Sequence, residues 1–202
     1  MATQLKVKKR DRERTKGKIL KAVGEVIEQY GTDKVGVNLI ARTAGVNKVL
    51  IYRYFGGVDG LMEQYVKTGQ YVSTSSIDYI DSVPTPAPED RGKVWATTFT
   101  TMMRDLRARK ATRDLLRWEI GAGKSALTEA RDEISARWMA KIGAIPGAQD
   151  TNALIAIVLG AVYYTVLAAD YRGKLMDIDL QSEEGWERIE KALEAILTGS
   201  HK

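Results

Sequence analysis

The sequence predicts an all-α protein. Apolar residues recur at helical intervals through most of its 202 residues, alternating β-branched runs are almost absent, and glycines and prolines separate segments of helix length. With 44% hydrophobic and 28% charged residues, the composition is that of an ordinary globular chain rather than a disordered one. The length suits one large helical domain, or a small domain joined to a larger one.

The first helix is marked by Ile19, Val23, Val26, Ile27 and Tyr30 on one stripe, and Gly31 ends it with a residue that tolerates the left-handed conformation. A short helix from about Val37 to Ala44, a turn at Gly45 and a helix from about Lys48 to Tyr54 follow. A longer helix is expected from near Val58 towards Tyr79. DSVPTPAPEDRG, residues 81–92, holds three of the four prolines and must be a loop. Helices are expected at about 91–110, 112–121 and 124–143, then a break at GAIPGAQ (143–149), then a helix at about 150–171. The run Ala153–Ala169 has 17 residues without a charge. That is short of the roughly 20 a membrane span needs, and it contains two tyrosines and a threonine. A helix buried on nearly all sides of a protein is the expectation, and no membrane association is expected. The last helix, about 183–198, carries Trp186, Ile189, Leu193, Ile196 and Leu197 on one stripe, which makes about nine helices in all.

Charge is unevenly distributed. Residues 1–60 hold 13 Lys and Arg against 6 Asp and Glu, whereas the remainder holds 18 against 20. A basic N-terminal portion on a near-neutral body points to a polyanion partner for that portion, or to a solvated basic face. There is no cysteine, and the one histidine is His201, next to the C-terminus. Disulfides, thiolate metal sites and histidine-based triads are thereby excluded, and neither a metal nor a cofactor is expected. The N-terminal stretch lacks the apolar core of a signal peptide, so a cytoplasmic location is expected.

Within VNLIARTAGVNKVLIYRYF, residues 37–55, Ala41, Gly45 and Ile51 have the spacing of a helix-turn-helix. A small residue lets the second helix approach, glycine accepts the turn, and an aliphatic residue locks the second helix from below. Asn47 stands where an N-cap is wanted. An N-terminal turn aimed at a major groove would present Asn47, Lys48 and Val49, with Tyr52 and Arg53 one turn on. Lysine and arginine suit phosphates or guanine edges, tyrosine hydroxyls reach phosphates, and Val49 suits a thymine methyl. The same spacing also fits an ordinary helical hairpin with no nucleic-acid role.

The block from about Arg14 to Tyr65 resembles the DNA-binding region of TetR-family transcriptional regulators. ILKAVGEVIEQYG corresponds to the first helix, LIARTAGVNKVLIYRYF to the helix-turn-helix and GGVDGLMEQYV to the opening of the fourth helix. The resemblance covers about a quarter of the chain. It implies a homodimer with a three-helix DNA-reading head (residues 1–56, including the basic arm Lys6 to Lys18) and a helical ligand-binding and dimerisation body (57–202). The partners it implies are a palindromic double-stranded DNA operator, a small-molecule effector and a second copy of the chain. The candidate DNA-contacting residues are Arg42, Thr43, Asn47, Lys48, Val49, Tyr52, Arg53 and Tyr54. Three positions depart from the family pattern: Gly36 replaces a Ser or Thr cap, Val58 a lysine, and Leu50 a frequent threonine. The basic arm is suited to reach phosphates or an adjacent minor groove in compensation.

In the body, Trp95, Phe99, Met102, Met103, Trp118, Trp138 and Tyr163 either line a cavity for an apolar or aromatic ligand or fill the core. Arg104, Arg113, Arg117 and Glu119 either orient such a ligand or are solvated. The apolar helix and the 183–198 helix are expected to form half of a four-helix dimer interface. The resulting expectation is a ligand-responsive DNA-binding regulator, most often a repressor in that family. The alternatives are a ligand-independent DNA binder and, disfavoured by the missing catalytic motifs, an α-helical enzyme.

Overall fold

The computed structural model describes residues 2–68, 74, 76–122 and 126–199, and for residues 2–9, 122, 126 and 127 the backbone alone. Ten α-helices occur among the described residues: α1 (Ala2–Tyr30), α2 (Val37–Ala44), α3 (Val49–Phe55), α4 (Val58–Lys67), α5 (Ile77–Ser82), α6 (Arg91–Ala108), α7 (Lys110–Ala122), α8 (Ala126–Ile142), α9 (Thr151–Ala168) and α10 (Glu183–Thr198). Short 3-10 turns stand at Thr32–Lys34 and Pro88–Asp90, and strands β1 (Lys174–Leu175) and β2 (Ile178–Asp179) form a small hairpin. The class is all-α, as expected.

The long helix expected over 58–79 is two helices. The Thr68 hydroxyl donates to the Tyr65 carbonyl at 2.6 Å and closes α4, while Ser76 accepts from the Tyr79 N–H at 3.4 Å and opens α5. Residues 69–73 and 75 of that expected helix lie outside the described residues. The hairpin was not expected at all: its tip, Met176 and Asp177, has both residues at positive φ (48° and 60°). Two successive left-handed residues are what a two-residue hairpin turn needs, but asparagine and glycine usually supply them.

Packing divides the chain into two units, residues 1–71 with 110–133 and residues 72–109 with 134–202. The division expected at 56/57 is one of role, and packing follows another line, because α4 and α7 pack with α1. In the first unit Ile19, Val23, Val26 and Ile27 of α1 are buried with Ile40 and Ala41 of α2, Ile51 of α3, Leu61, Met62 and Val66 of α4, and Leu115 and Leu116 of α7. Charge is handled locally. Lys67 bridges Glu133 at 2.6 Å and Glu63 at 2.8 Å, and these two carboxylates raise its pKa above the usual lysine value. Glu119, buried, is paired with Arg131; burial pushes the carboxyl upward while the guanidinium opposes it.

In the second unit α6 packs on α9 and α10. Trp95, Phe99, Met103, Trp138, Val158, Val162, Val166, Trp186, Leu193 and Leu197 are buried. Val158, Val162 and Val166 form one stripe of α9. The opposite side of that helix, with Ala153, Ala156, Ile157, Gly160, Ala161 and Tyr164, is exposed. The helix is long and apolar enough to cross a membrane by length and composition alone (18 residues, mean hydropathy 1.8), and 28% of it is buried. The expected burial on nearly all sides is therefore not supplied by this chain's own atoms. On α10 the stripe is likewise divided: Trp186, Leu193 and Leu197 face inward, whereas Ile196 is 47% exposed.

Candidate nucleic-acid interface

The turn between α2 and α3 is built as the spacing required. Gly45 is left-handed (φ 65°, ψ 39°), its N–H donates to the Arg42 carbonyl at 3.2 Å, and the Val46 N–H donates to the Ala41 carbonyl at 3.0 Å. Asn47 Oδ1 accepts from the Val49 N–H at 2.9 Å, a turn one residue ahead of the N-cap, which is Lys48 and not Asn47 as expected. The helix runs from Val49 to Phe55, one residue later at each end than expected. Ile51 is fully buried and anchors its inner side. Gly60 lets α4 start hard against the end of α3, since a Cβ there would lie 2.0 Å from the Phe55 carbonyl oxygen.

Leu50 and Phe55 are half-buried beside that anchor, and the opposite side of the helix is open. Arg42, Thr43, Asn47, Lys48, Val49, Tyr52 and Arg53 are exposed, with Val49 at 53% and Tyr52 at 56%. Tyr54 differs from its neighbours. It is half-buried, its ring packs edge-on to Phe55 at 6.5 Å, and the Arg12 guanidinium lies 5.4 Å from its centroid. A cation over a tyrosine face is worth about 0.5–1 kcal/mol at an exposed site, so Tyr54 serves as a seat for α1. Arg12 was not among the sequence candidates; no pattern in a run of alternating charges singles it out.

The basic stretch is helical throughout, continuous with the core of α1. Arg14 and Lys16 pair with Asp11 (3.9 Å) and Glu13 (3.7 Å) on the same helix. Arg10, Arg12 and Lys18 have no acidic partner among the described residues. The side chains of Lys6, Lys8 and Lys9 lie outside the described residues. The face thus combines exposed cations, a tyrosine hydroxyl and an apolar valine on one short helix, beside a basic helical arm. That set can meet phosphates and base edges together. The expected Ser or Thr cap of α2 is absent at Gly36, which makes no side-chain cap.

Residues 19–65 match the family model of bacterial regulatory proteins of the tetR family. That stretch of the chain is similar to the DNA-binding region of the tetR family. The matched stretch runs from Ile19, the first buried residue of α1 among the described residues, to the last turn of α4, and takes in every candidate DNA-contacting residue. Two uncharacterised HTH-type transcriptional regulators of Mycobacterium tuberculosis strains are 27% identical over 131 residues, 62% of this chain and 62% of theirs. The chain thus spans about three fifths of the length of the curated relatives it matches. Among solved structures, the fatty acid degradation regulator FadR of Bacillus halodurans superposes with a TM-score of 0.61 at 16% identity, covering 92% of this chain and 99% of that one. FadR of Bacillus subtilis, in complex with stearoyl-CoA, gives 0.59 at 19% identity, covering 91% and 98%. These similarities establish a shared fold.

The seven candidate ligand residues do not form one cluster. Trp118 belongs to the first unit and the other six to the second. Trp95 stacks on Phe99 at 5.9 Å and donates from Nε1 to the Gly143 carbonyl at 3.1 Å. Trp138 donates to the Thr74 carbonyl at 2.9 Å and meets Tyr79 edge-on at 6.0 Å. Met103 is fully buried, whereas Met102 and Tyr163 are half-buried. Arg104 makes a two-pronged pair with Glu190 (2.8 and 2.6 Å) and Arg117 pairs with Asp114 at 2.8 Å, so these arginines are structural. A groove of about 550 Å³ between α6 and α10 is lined by charged and threonine side chains, including Lys93, Thr100, Arg104 and Glu190, and by none of the seven. A smaller crevice of about 230 Å³ in the first unit is lined by Thr32, Asp33, Val35, Val58, Met62 and Trp118. Of the seven, Trp118 alone lines either space.

Proposed function

We propose that this chain is a cytoplasmic, DNA-binding transcriptional regulator, a homodimeric repressor that leaves a palindromic operator when a small, largely apolar or aromatic effector binds, and that it carries out no catalysis. The observation that carries the DNA-binding part is the outer face of α3. Its valine, tyrosine and arginine, with Lys48 at its N-cap, are exposed, while Ile51 and Gly45 hold them in one geometry. The dimer is supported by the exposed apolar side of α9 and by Ile196 of α10, a surface a soluble chain keeps covered. For the effector, the candidates are Trp95, Phe99, Met102, Met103, Trp118, Trp138 and Tyr163, and the closed hydrogen bonds of Trp95 and Trp138 favour a site among the others.

Lys48→Ala, Tyr52→Phe and Arg53→Ala are expected to lower DNA affinity with the thermal unfolding midpoint unchanged. A base-reading interaction is worth about 1–3 kcal/mol and its removal relaxes one operator position; removal of a phosphate interaction weakens all sequences alike. Operators selected from a random DNA pool, then ranked for each variant at one salt concentration, separate the two. Wild-type affinity in all three variants would remove α3 from the reading role.

Deleting residues 1–10 removes Lys6, Lys8, Lys9 and Arg10. The expected result is a shallower fall of log affinity with log salt, by about 0.9 for each phosphate that the arm no longer neutralises. An unchanged slope would mean that the end of the arm stands clear of DNA. A chain that binds its operator identically with and without every compound that alters its tryptophan signals would instead be a ligand-independent DNA binder.

A further inference from the structure

We infer that the crevice bounded by the Thr32–Lys34 turn, α4 and α7 binds a small organic cation, an apolar body carrying a protonated amine. This deepens the effector part of the reading above, although binding itself does not depend on it. Three observations converge. The crevice holds about 230 Å³, the liquid volume of roughly eight water molecules, which suits a single-ring ligand. Its walls are mixed: Val35, Val58, Met62 and the half-buried indole of Trp118 are apolar, and Thr32 and Asp33 are polar.

The second observation concerns the tryptophans. Trp95, Trp138 and Trp186 each donate their Nε1 proton to a backbone carbonyl, at 3.1, 2.9 and 2.9 Å. Trp118 has no acceptor among the described residues. Its Nε1 is open to solvent rather than buried, so the donor is available to a bound molecule.

The third is charge. Glu63, Glu119 and Glu133 of the same unit are all engaged by cations. Asp33, at the crevice, is exposed and has no ion-pair partner among the described residues. The one charged residue that lines the crevice is thus a carboxylate beside apolar side chains, an arrangement that disfavours anions and rewards an ammonium group. The site also has mechanical leverage. Val58 opens α4 three residues past the end of α3, so a ligand against Val58 bears on the joint that sets the α3 orientation.

The test uses the full chain labelled with 5-fluorotryptophan, whose four tryptophans give separate fluorine signals, Trp118→Phe assigning one. Phenethylamine, phenethyl alcohol and phenylacetate are titrated in turn. Phenethylamine should move the Trp118 signal, leave the other three in place, and bind at least tenfold more tightly than the alcohol, as a charge-assisted contact requires. Asp33→Asn, an exposed substitution that preserves the fold, should abolish that preference. An unmoved Trp118 signal at millimolar amine, movement of the other tryptophans instead, or equal binding of amine and alcohol would overturn the inference. DNA affinity is measured on the same samples. Amine binding without DNA binding would reject the regulator reading and leave the crevice standing; DNA binding without amine binding would reject the crevice alone.

Discussion

Ile157→Asp is expected to leave the chain folded, convert it from dimer to monomer, and lower affinity for a full palindromic operator by about a hundredfold to ten-thousandfold. Ile157 is 71% exposed, so within one chain the substitution costs almost nothing. Against a second copy, the new carboxylate would sit uncompensated in an apolar seam, at a cost of several kcal/mol. The operator effect follows from the loss of linkage. Two joined heads bind the second half-site as an intramolecular event, and separating them forfeits that effective concentration. Affinity for an isolated half-site should not change. Leu193 is the wrong residue for this test, because it is buried in its own chain and an aspartate there would unfold the second unit. Sedimentation and operator titration decide the matter together. A dimeric Ile157→Asp variant with normal operator affinity would place the interface elsewhere.

Gly60→Ala should be the most damaging single methyl group in the head. The added Cβ would lie 2.0 Å from the Phe55 carbonyl oxygen, a backbone atom with no rotamer to escape into. Either α4 moves off α3 or the end of α3 unwinds. Overpacking of this kind costs about 1–3 kcal/mol where side chains can adjust and more where they cannot. Gly45→Ala is the matched comparison: its surroundings are open, so the expected cost is the left-handed backbone alone, about 1–2 kcal/mol. Thermal unfolding should rank Gly60→Ala below Gly45→Ala, and operator binding should fall in the same order. A Gly60→Ala variant with the wild-type midpoint would show that α3 and α4 are not held as tightly as their backbone geometry indicates.

Much of this architecture is legible in the sequence because its signals are local. The glycine at 45, the apolar spacing around it and the asparagine turn each act within a few residues, and α2, α3 and α10 lie where those signals put them, within one residue. The break between α4 and α5 is not legible, since Thr68 and Ser76 are common polar residues whose capping role appears only when their hydroxyls meet a particular carbonyl or N–H. The hairpin escapes for a similar reason: methionine and aspartate at positive φ leave no glycine to read. For α9 the difficulty is deeper. A buried face and an exposed apolar face can carry the same amino acids, so Val158 and Ile157 look alike in sequence and differ only in the fold. Likewise, nothing in the sequence separates Trp118 from the other three tryptophans; the difference lies in which indoles have a carbonyl within reach.

The way α3 is held has a consequence for how this protein can change over time. Ile51 is the fully buried side chain of the helix, Leu50, Tyr54 and Phe55 are half-buried, and the residues that face outward carry almost no packing energy. Substitutions at Lys48, Val49, Tyr52 and Arg53 are therefore close to free in stability, typically within about 0.5 kcal/mol for surface positions. A duplicated copy could drift through many outward-facing combinations, each as well folded as the last, until one met a different promoter. Gly45, Ile51 and Gly60 have no such latitude, and relatives that diverged to new operators should differ at the first set while keeping the second.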